Sequence, residues 1–222
     1  MIRRKRINCP EGLGNRVATI ANALTWHSRI EFGWEVNEHC PLTHEEVFPL
    51  GIGPVDFVPG DGSPAGLMDG RRPTMDWDAA RCHVHARTTY ARVMTSIGAQ
   101  ARPDAAEVAI VARFHRTQTF DLARLAIAAG RVAHRLGTRR VFLLSDRNRD
   151  NIELMINRHT QLQTVRASAP ELESDLARTP EATRAFLQDW RTALAARHIV
   201  ALDGPTSLLH PARAAGVPIT YA

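Results

Sequence analysis

Lysine is almost missing from this 222-residue chain. Lys5 is the only one, and the remaining basic residues, of 28 in all, are arginines. Cysteine is scarce too. Cys9, Cys40 and Cys82 are odd in number and far apart, which argues against a disulfide framework or a four-cysteine zinc site and implies a reducing cytoplasm. No apolar run approaches the ~20 residues of a membrane span. The basic start, Met1-Ile2-Arg3-Arg4-Lys5-Arg6, is followed by no apolar segment, so it does not read as a secretory signal. No internal repeat or low-complexity tract stands out either, and the globular composition argues against disorder, collagen-like repeats and a coiled-coil rod.

The composition is ordinary for a globular protein, at 44% hydrophobic and 23% charged residues. A chain of 24.6 kDa accommodates one generous domain or two small ones, and it buries roughly 70% of its unfolded surface. The formal charge is +5 and the pI near 9.8. Arginine is a planar fork suited to phosphate, so a phosphorylated substrate or a polyanion fits this balance. The arginines are spread along the chain, which makes nucleic acid possible but not favoured.

Hydrophobic periodicity orders the chain. Val17, Ile20, Ala21 and Leu24 mark the buried face of a helix that follows a glycine turn. Strands are predicted near residues 4–8 and 32–36, and a short one at 55–58. Residues 49–75, rich in glycine and proline, read as a long loop region. A helix is predicted over 88–97, and the chain breaks near Pro103. Beyond it, apolar runs at 108–112, 141–144, 162–165 and 198–202 alternate with helices. The first of these helices ends at Gly137, and Thr179-Pro180 opens a later one. Apolar strands alternating with helices predict an α/β fold with parallel sheets. The break predicts two Rossmann-like halves, residues 1–102 and 103–222.

Ligands bind such sheets beyond the carboxyl ends of the strands. Four of those ends carry polar chemistry. Gly12-Leu13-Gly14-Asn15-Arg16 lets backbone approach a ligand and aims N–H groups at an anion. Arg113-Phe114-His115-Arg116-Thr117 suits a diphosphate clamp, because arginine binds phosphate bidentately. Ser145-Asp146 offers an acceptor for a base or ribose. Thr206 and Ser207, after Asp203-Gly204-Pro205, can cap a helix and present hydroxyls to phosphate. The histidines at 83 and 85 beside Cys82, and His39 and His44 near Cys40, lack a partner set at zinc spacing, so no metal site is expected. Trp26, Trp34 and Trp77 are either core or an acceptor platform.

These residues, taken together, resemble the fucosyltransferase superfamily, which joins the α-1,2-, α-1,6- and protein O-fucosyltransferases and the nodulation fucosyltransferases. The Gly12–Asn15 turn and the following helix, Trp34, Cys40 and Val47-Phe48 are similar to its N-terminal signature. Arg113–Thr117 looks like its His-x-Arg-Arg segment, Ser145-Asp146 like its Thr-Asp strand end, and Gly204–Ser207 like its final Ser/Thr turn. In this chain Arg113 stands where the family has histidine, and His115 where it has the first arginine.

The resemblance implies a compact GT-B-like glycosyltransferase that is metal-independent and needs no cofactor beyond a nucleotide-sugar donor, most simply GDP-linked. Arg116, helped by Arg113 and His115, would bind the diphosphate. Thr206 and Ser207 would hold the phosphates and Asp146 the base or ribose. Gly12 and Gly14 would bring backbone to the donor, and Asn15 and Arg16 would reach its sugar or a glycan or other small acceptor. His115, His83 and Glu11 are open choices for the base. Two rival readings are a non-catalytic relative that binds sugar or nucleotide, favoured by the altered His-x-Arg-Arg segment, and a nucleic-acid-modifying transferase, favoured by the pI.

Overall fold

The computed structural model describes residues 5–60, 84–98, 106–114, 120–170, 179–202 and 207–222. It has two compact α/β units, each built on a parallel sheet.

In the first unit the strands are β1 (Lys5–Asn8), β2 (Ile30–Trp34) and β3 (Val55–Pro59), paired in the order β1-β2-β3. Helix α1 (Leu13–Trp26) makes the β1–β2 crossover. Its apolar side, Leu13, Val17, Ile20 and Ala21, is buried, as are Ile30 and Phe32 of β2. Each of the larger side chains contributes about 1.5–3 kcal/mol by leaving water. Helix α2 (His44–Val47) is a single turn held by a capping box, in which Thr43 and Glu46 satisfy each other's backbone N–H groups. Helix α3 (Val84–Ser96) completes the described part of residues 1–98.

The second unit holds β4 (Val108–Ala112), β5 (Arg140–Ser145), β6 (Gln163–Arg166), β7 (His198–Ala201) and β8 (Ile219–Tyr221). All pair parallel, in the order β6-β5-β4-β7-β8. β4 is central and its five residues are all buried. Its intervening helices are α4 (Leu122–Leu136), α5 (Arg149–His159) and α6 (Pro180–Leu194). Val108, Ile110 and Ala112 of β4 pack with Leu125, Ala129 and Val132 of α4 and with Ile152 and Ile156 of α5. Gly137 ends α4 at φ 67°, a conformation that glycine adopts without a Cβ penalty. Thr179 accepts the Ala182 N–H at 3.2 Å and so caps α6.

The α/β class with two parallel sheets is therefore as the sequence predicts. Against an expected boundary near residue 102, the segments Arg178–Thr183 and Ser207–Gly216 group with the first unit, and helix α7 (His210–Ala215) packs on α3 and α1. No helix among the described residues is long and apolar enough to cross a membrane.

Candidate functional site

Two strand ends carry the described chemistry. In the first unit, β1 ends at Asn8 and the chain turns through Gly12 into α1. Asn15 and Arg16 both donate their backbone N–H groups to the Gly12 carbonyl. Gly14 is buried in this turn. Asn15 stands half-buried at the start of the helix, and its Nδ2 donates to the Glu11 carboxylate.

Arg16, expected to reach the donor sugar or acceptor, has a residue surface that is 0% exposed in this structure. Its Nε donates to the Glu11 carbonyl at 2.7 Å, Nη1 to the Glu35 carbonyl, and Nη2 to the Pro10 carbonyl at 3.4 Å. The guanidinium also lies 5.0 Å from the Trp34 ring centroid, within cation–π range. Burial draws its pKa below the ordinary arginine value, with the Cys40, Cys9 and Glu35 groups opposing. Arg16 thus holds the Pro10-Glu11 backbone against the end of β2, and it presents nothing to solvent. Trp34 is core, with Nε1 donating to the Leu42 carbonyl at 2.8 Å.

In the second unit the adjacent ends of β4 and β5 are tied together. Asp146 Oδ1 accepts the Phe114 N–H at 3.0 Å, and Oδ2 lies 3.2 Å from Arg113 Nη1. The Asp146 side chain is only 8% exposed. Its pKa is raised, first by burial, while the Phe114 N–H, Arg113 and Arg147 oppose that rise. Asp146, expected to accept from a base or ribose, has its carboxylate on the protein's own backbone and on Arg113 in this structure. Arg113 keeps its expected place at the β4 end, 23% exposed.

Arg147 and Arg149, which fall in the polar strand end 145–149 of the sequence but carry no expected role there, share this edge. Arg147 Nη2 donates to the Phe114 carbonyl at 3.1 Å. Arg149 Nη1 donates to the Ala167 carbonyl, and its Nη2 to the Ser145 and Ala169 carbonyls. Asp189, itself buried, accepts the Ala169 N–H at 2.6 Å and the Ser168 hydroxyl. Arg149 and Asp189 therefore fix the loop after β6. Arginine in a polar strand-to-helix turn gives no periodic signal, so only the fold brings Arg147 to the Phe114 carbonyl next to Arg113 and Arg149 to the loop after β6.

Ser207 opens the short 3-10 turn Ser207–Leu209 before α7. His115, Arg116 and Thr206 lie outside the described residues, as do His83, Cys82 and Trp77. Among the described residues no group of three His, Cys, Asp or Glu could hold a metal ion. His44 lies against Phe57, with ring centroids 4.3 Å apart and the rings tilted by 31°, and Cys40 is buried.

Among solved structures the chain is similar to POFUT1 in complex with GDP-fucose, at 12% identity and a TM-score of 0.36, over 80% of this chain and 56% of that one. It is also similar to the apo form of POFUT1, at 11% identity and a TM-score of 0.35, over 76% and 54%. The chain thus spans little more than half the length of the structures it matches. No family model matches the sequence, and no curated protein does.

Proposed function

We propose that the chain is a glycosyltransferase of the fucosyltransferase type, with a GT-B-like fold and a GDP-linked sugar donor. The observation that carries the reading is the arginine-bearing carboxyl edge of the five-stranded sheet. There Arg113 pairs with the buried Asp146 carboxylate, Arg147 lies within its field and donates to the Phe114 carbonyl, and Arg149 donates to the Ser145, Ala167 and Ala169 carbonyls. Open parallel sheets bind ligands at this edge. Arg116, at the same strand end in the sequence, is the residue proposed to neutralise the diphosphate, with Arg113 and His115 beside it. Negative charge develops on that diphosphate as the sugar bond breaks, so a fixed cation lowers the barrier without a metal. Thr206 and Ser207 are proposed phosphate ligands. Gly12 and Gly14 open the turn at which Asn15, oriented by Glu11, is proposed to meet the donor sugar or acceptor.

A thermal-shift panel of nucleotides and nucleotide sugars tests this. A ligand that binds only the native state at a hundredfold excess over Kd adds about 2.7 kcal/mol of stability. GDP or a GDP-sugar is expected to raise Tm. A panel in which no nucleotide shifts Tm would sink the proposal. Binding without turnover over a range of acceptors would leave the non-catalytic relative.

One observation favours the nucleic-acid reading as a second. A groove along α4 is lined by Arg124, Arg131, Arg135 and Arg139, and among the described residues the one acidic side chain lining it, Asp121, caps the helix. Neutralising three or four phosphates would give a salt slope of about −3 on duplex DNA. A slope near zero removes that reading.

A further inference from the structure

The carboxyl edge of β4 and β5 holds two arginines in different states. Arg113 is paired with the Asp146 carboxylate at 3.2 Å. Arg147 has no carboxylate at ion-pair distance among the described residues. Its Nη2 is fixed on the Phe114 carbonyl at 3.1 Å, and its Nε is buried without a partner. The backbone under it is fixed as well. The Ser145 hydroxyl donates to the Arg147 carbonyl at 2.5 Å and accepts the Arg147 N–H at 3.4 Å. The side chain itself is half-exposed.

We propose that Arg147, not Arg113, is the described arginine that binds a phosphate group of the ligand at this edge. Arg113 is largely neutralised by Asp146, and a phosphate approaching it would first meet the field of that carboxylate. Arg147 is held in one orientation by a neutral carbonyl and meets Asp146 only as a nearby charge, not as an ion pair, so its charge is less compensated than that of Arg113 and its fork is already ordered. A preordered guanidinium loses little further freedom when it takes a bidentate anion. The residue is a binding residue in this account, and Asp146 is a positioning residue that fixes Phe114 and, through its carbonyl, Arg147. The inference rests on the nucleotide reading above for its ligand, but its chemistry is that of phosphate alone.

Calorimetric titration of the full chain with GDP, guanosine and inorganic pyrophosphate separates the two. Arg147→Gln is expected to weaken GDP and pyrophosphate about ten- to a hundredfold, the range of one charge-assisted hydrogen bond, and to leave guanosine unchanged. Arg147→Lys is expected to recover part, because one ammonium cannot reproduce the fork. A residue that merely supported the fold would lower all three together. Pyrophosphate binding that depends on Arg147, with no binding of GDP or guanosine beyond it, would overturn the nucleotide reading and keep this one. Wild-type affinity for GDP and pyrophosphate in both variants would overturn the inference and spare the nucleotide reading. If Arg147→Gln does not fold, Arg147→Lys decides alone, and an unchanged pyrophosphate affinity there counts against the inference. A wild-type chain that binds none of the three overturns both.

Discussion

The guanidinium of Arg16 lies over Trp34, 5.0 Å from the ring centroid, while its nitrogens hold the carbonyls of Pro10, Glu11 and Glu35. A charge at 0% exposure is costly unless every contact is kept. Arg16→Ala takes the side-chain donor from the partly buried Glu11 and Glu35 carbonyls, while the Pro10 carbonyl keeps Asn37 Nδ2, and each lost partner is worth about 1–3 kcal/mol. The expected result is a loss of several kcal/mol in urea unfolding, with Arg16→Lys close behind, since the fork is what reaches three carbonyls. A stable, folded Arg16→Ala chain that merely lost nucleotide binding would return Arg16 to the ligand.

Asp146 gives a pH prediction. Its folded pKa is raised, chiefly by burial, so the folded state binds its proton more tightly than the unfolded chain does. That contribution to stability is fully present below the ordinary aspartate value of 3.8 and is lost as pH rises through the folded value. Asp146→Asn cannot titrate. The wild type should therefore gain stability relative to Asp146→Asn as pH falls from 7 toward 4, read as the difference in Tm between the two proteins. A difference that stays flat, or moves the other way, would show that Arg113 outweighs burial at this site.

The sheet is legible in the sequence where strands are buried on both sides. The apolar run 108–112 is β4 without adjustment, and Gly137 and Thr179 mark their helix ends by backbone chemistry alone. β2 is less legible. The pattern suggests 32–36, and the strand is Ile30–Trp34. The ladder stops at Trp34, and the Glu35 carbonyl turns to Arg16 instead. α2 carries the signature Thr43-His44-Glu45-Glu46 of a capping box, a signal that could have found it. The site is least legible. A short sequence motif shows that Arg16 and Asp146 are polar at a strand end, but not which way they face. Only tertiary packing makes one a buried tie and the other a partner for Phe114.

Gly33 and Asn8 are coupled across β1 and β2, where they pair in register. A Cβ at residue 33 would fall 1.8 Å from Asn8 Oδ1, and Asn8 is buried. Gly33→Ala is expected to cost about 1–3 kcal/mol, the usual range for overpacking. Shortening the partner in the double variant Asn8→Ala/Gly33→Ala should return part of it, as a favourable coupling in a double-mutant cycle. Strict additivity would mean that the two residues do not share this space.

Metal independence is tested on binding rather than turnover. Among the described residues no group of three His, Cys, Asp or Glu could hold a metal ion, and arginines stand at the ends of β4 and β5. GDP affinity is expected to be equal with and without EDTA. Loss in EDTA, restored by Mg²⁺ or Mn²⁺, would contradict an arginine clamp.

Arg116 is the residue on which the family resemblance rests most. If it pairs with the donor diphosphate, Arg116→Ala should weaken GDP about ten- to a hundredfold, since a charge-assisted hydrogen bond is worth roughly 1.5–3 kcal/mol. Arg116→Lys should recover only part of the loss. Arg139→Ala is the control. Arg139 is exposed and directly precedes Arg140, the first residue of β5, so it sits at the opposite end of that strand from Ser145 and Asp146. Its removal should leave GDP affinity unchanged. Combining Arg116→Ala with Arg147→Gln then asks whether the two arginines hold the same anion. A double variant no weaker than the worse single one would show a shared phosphate. Losses that add would place them on different groups of the ligand. Wild-type affinity in Arg116→Ala would break the match between this strand end and the family's His-x-Arg-Arg segment, and Arg147 would then be the principal phosphate ligand at this edge.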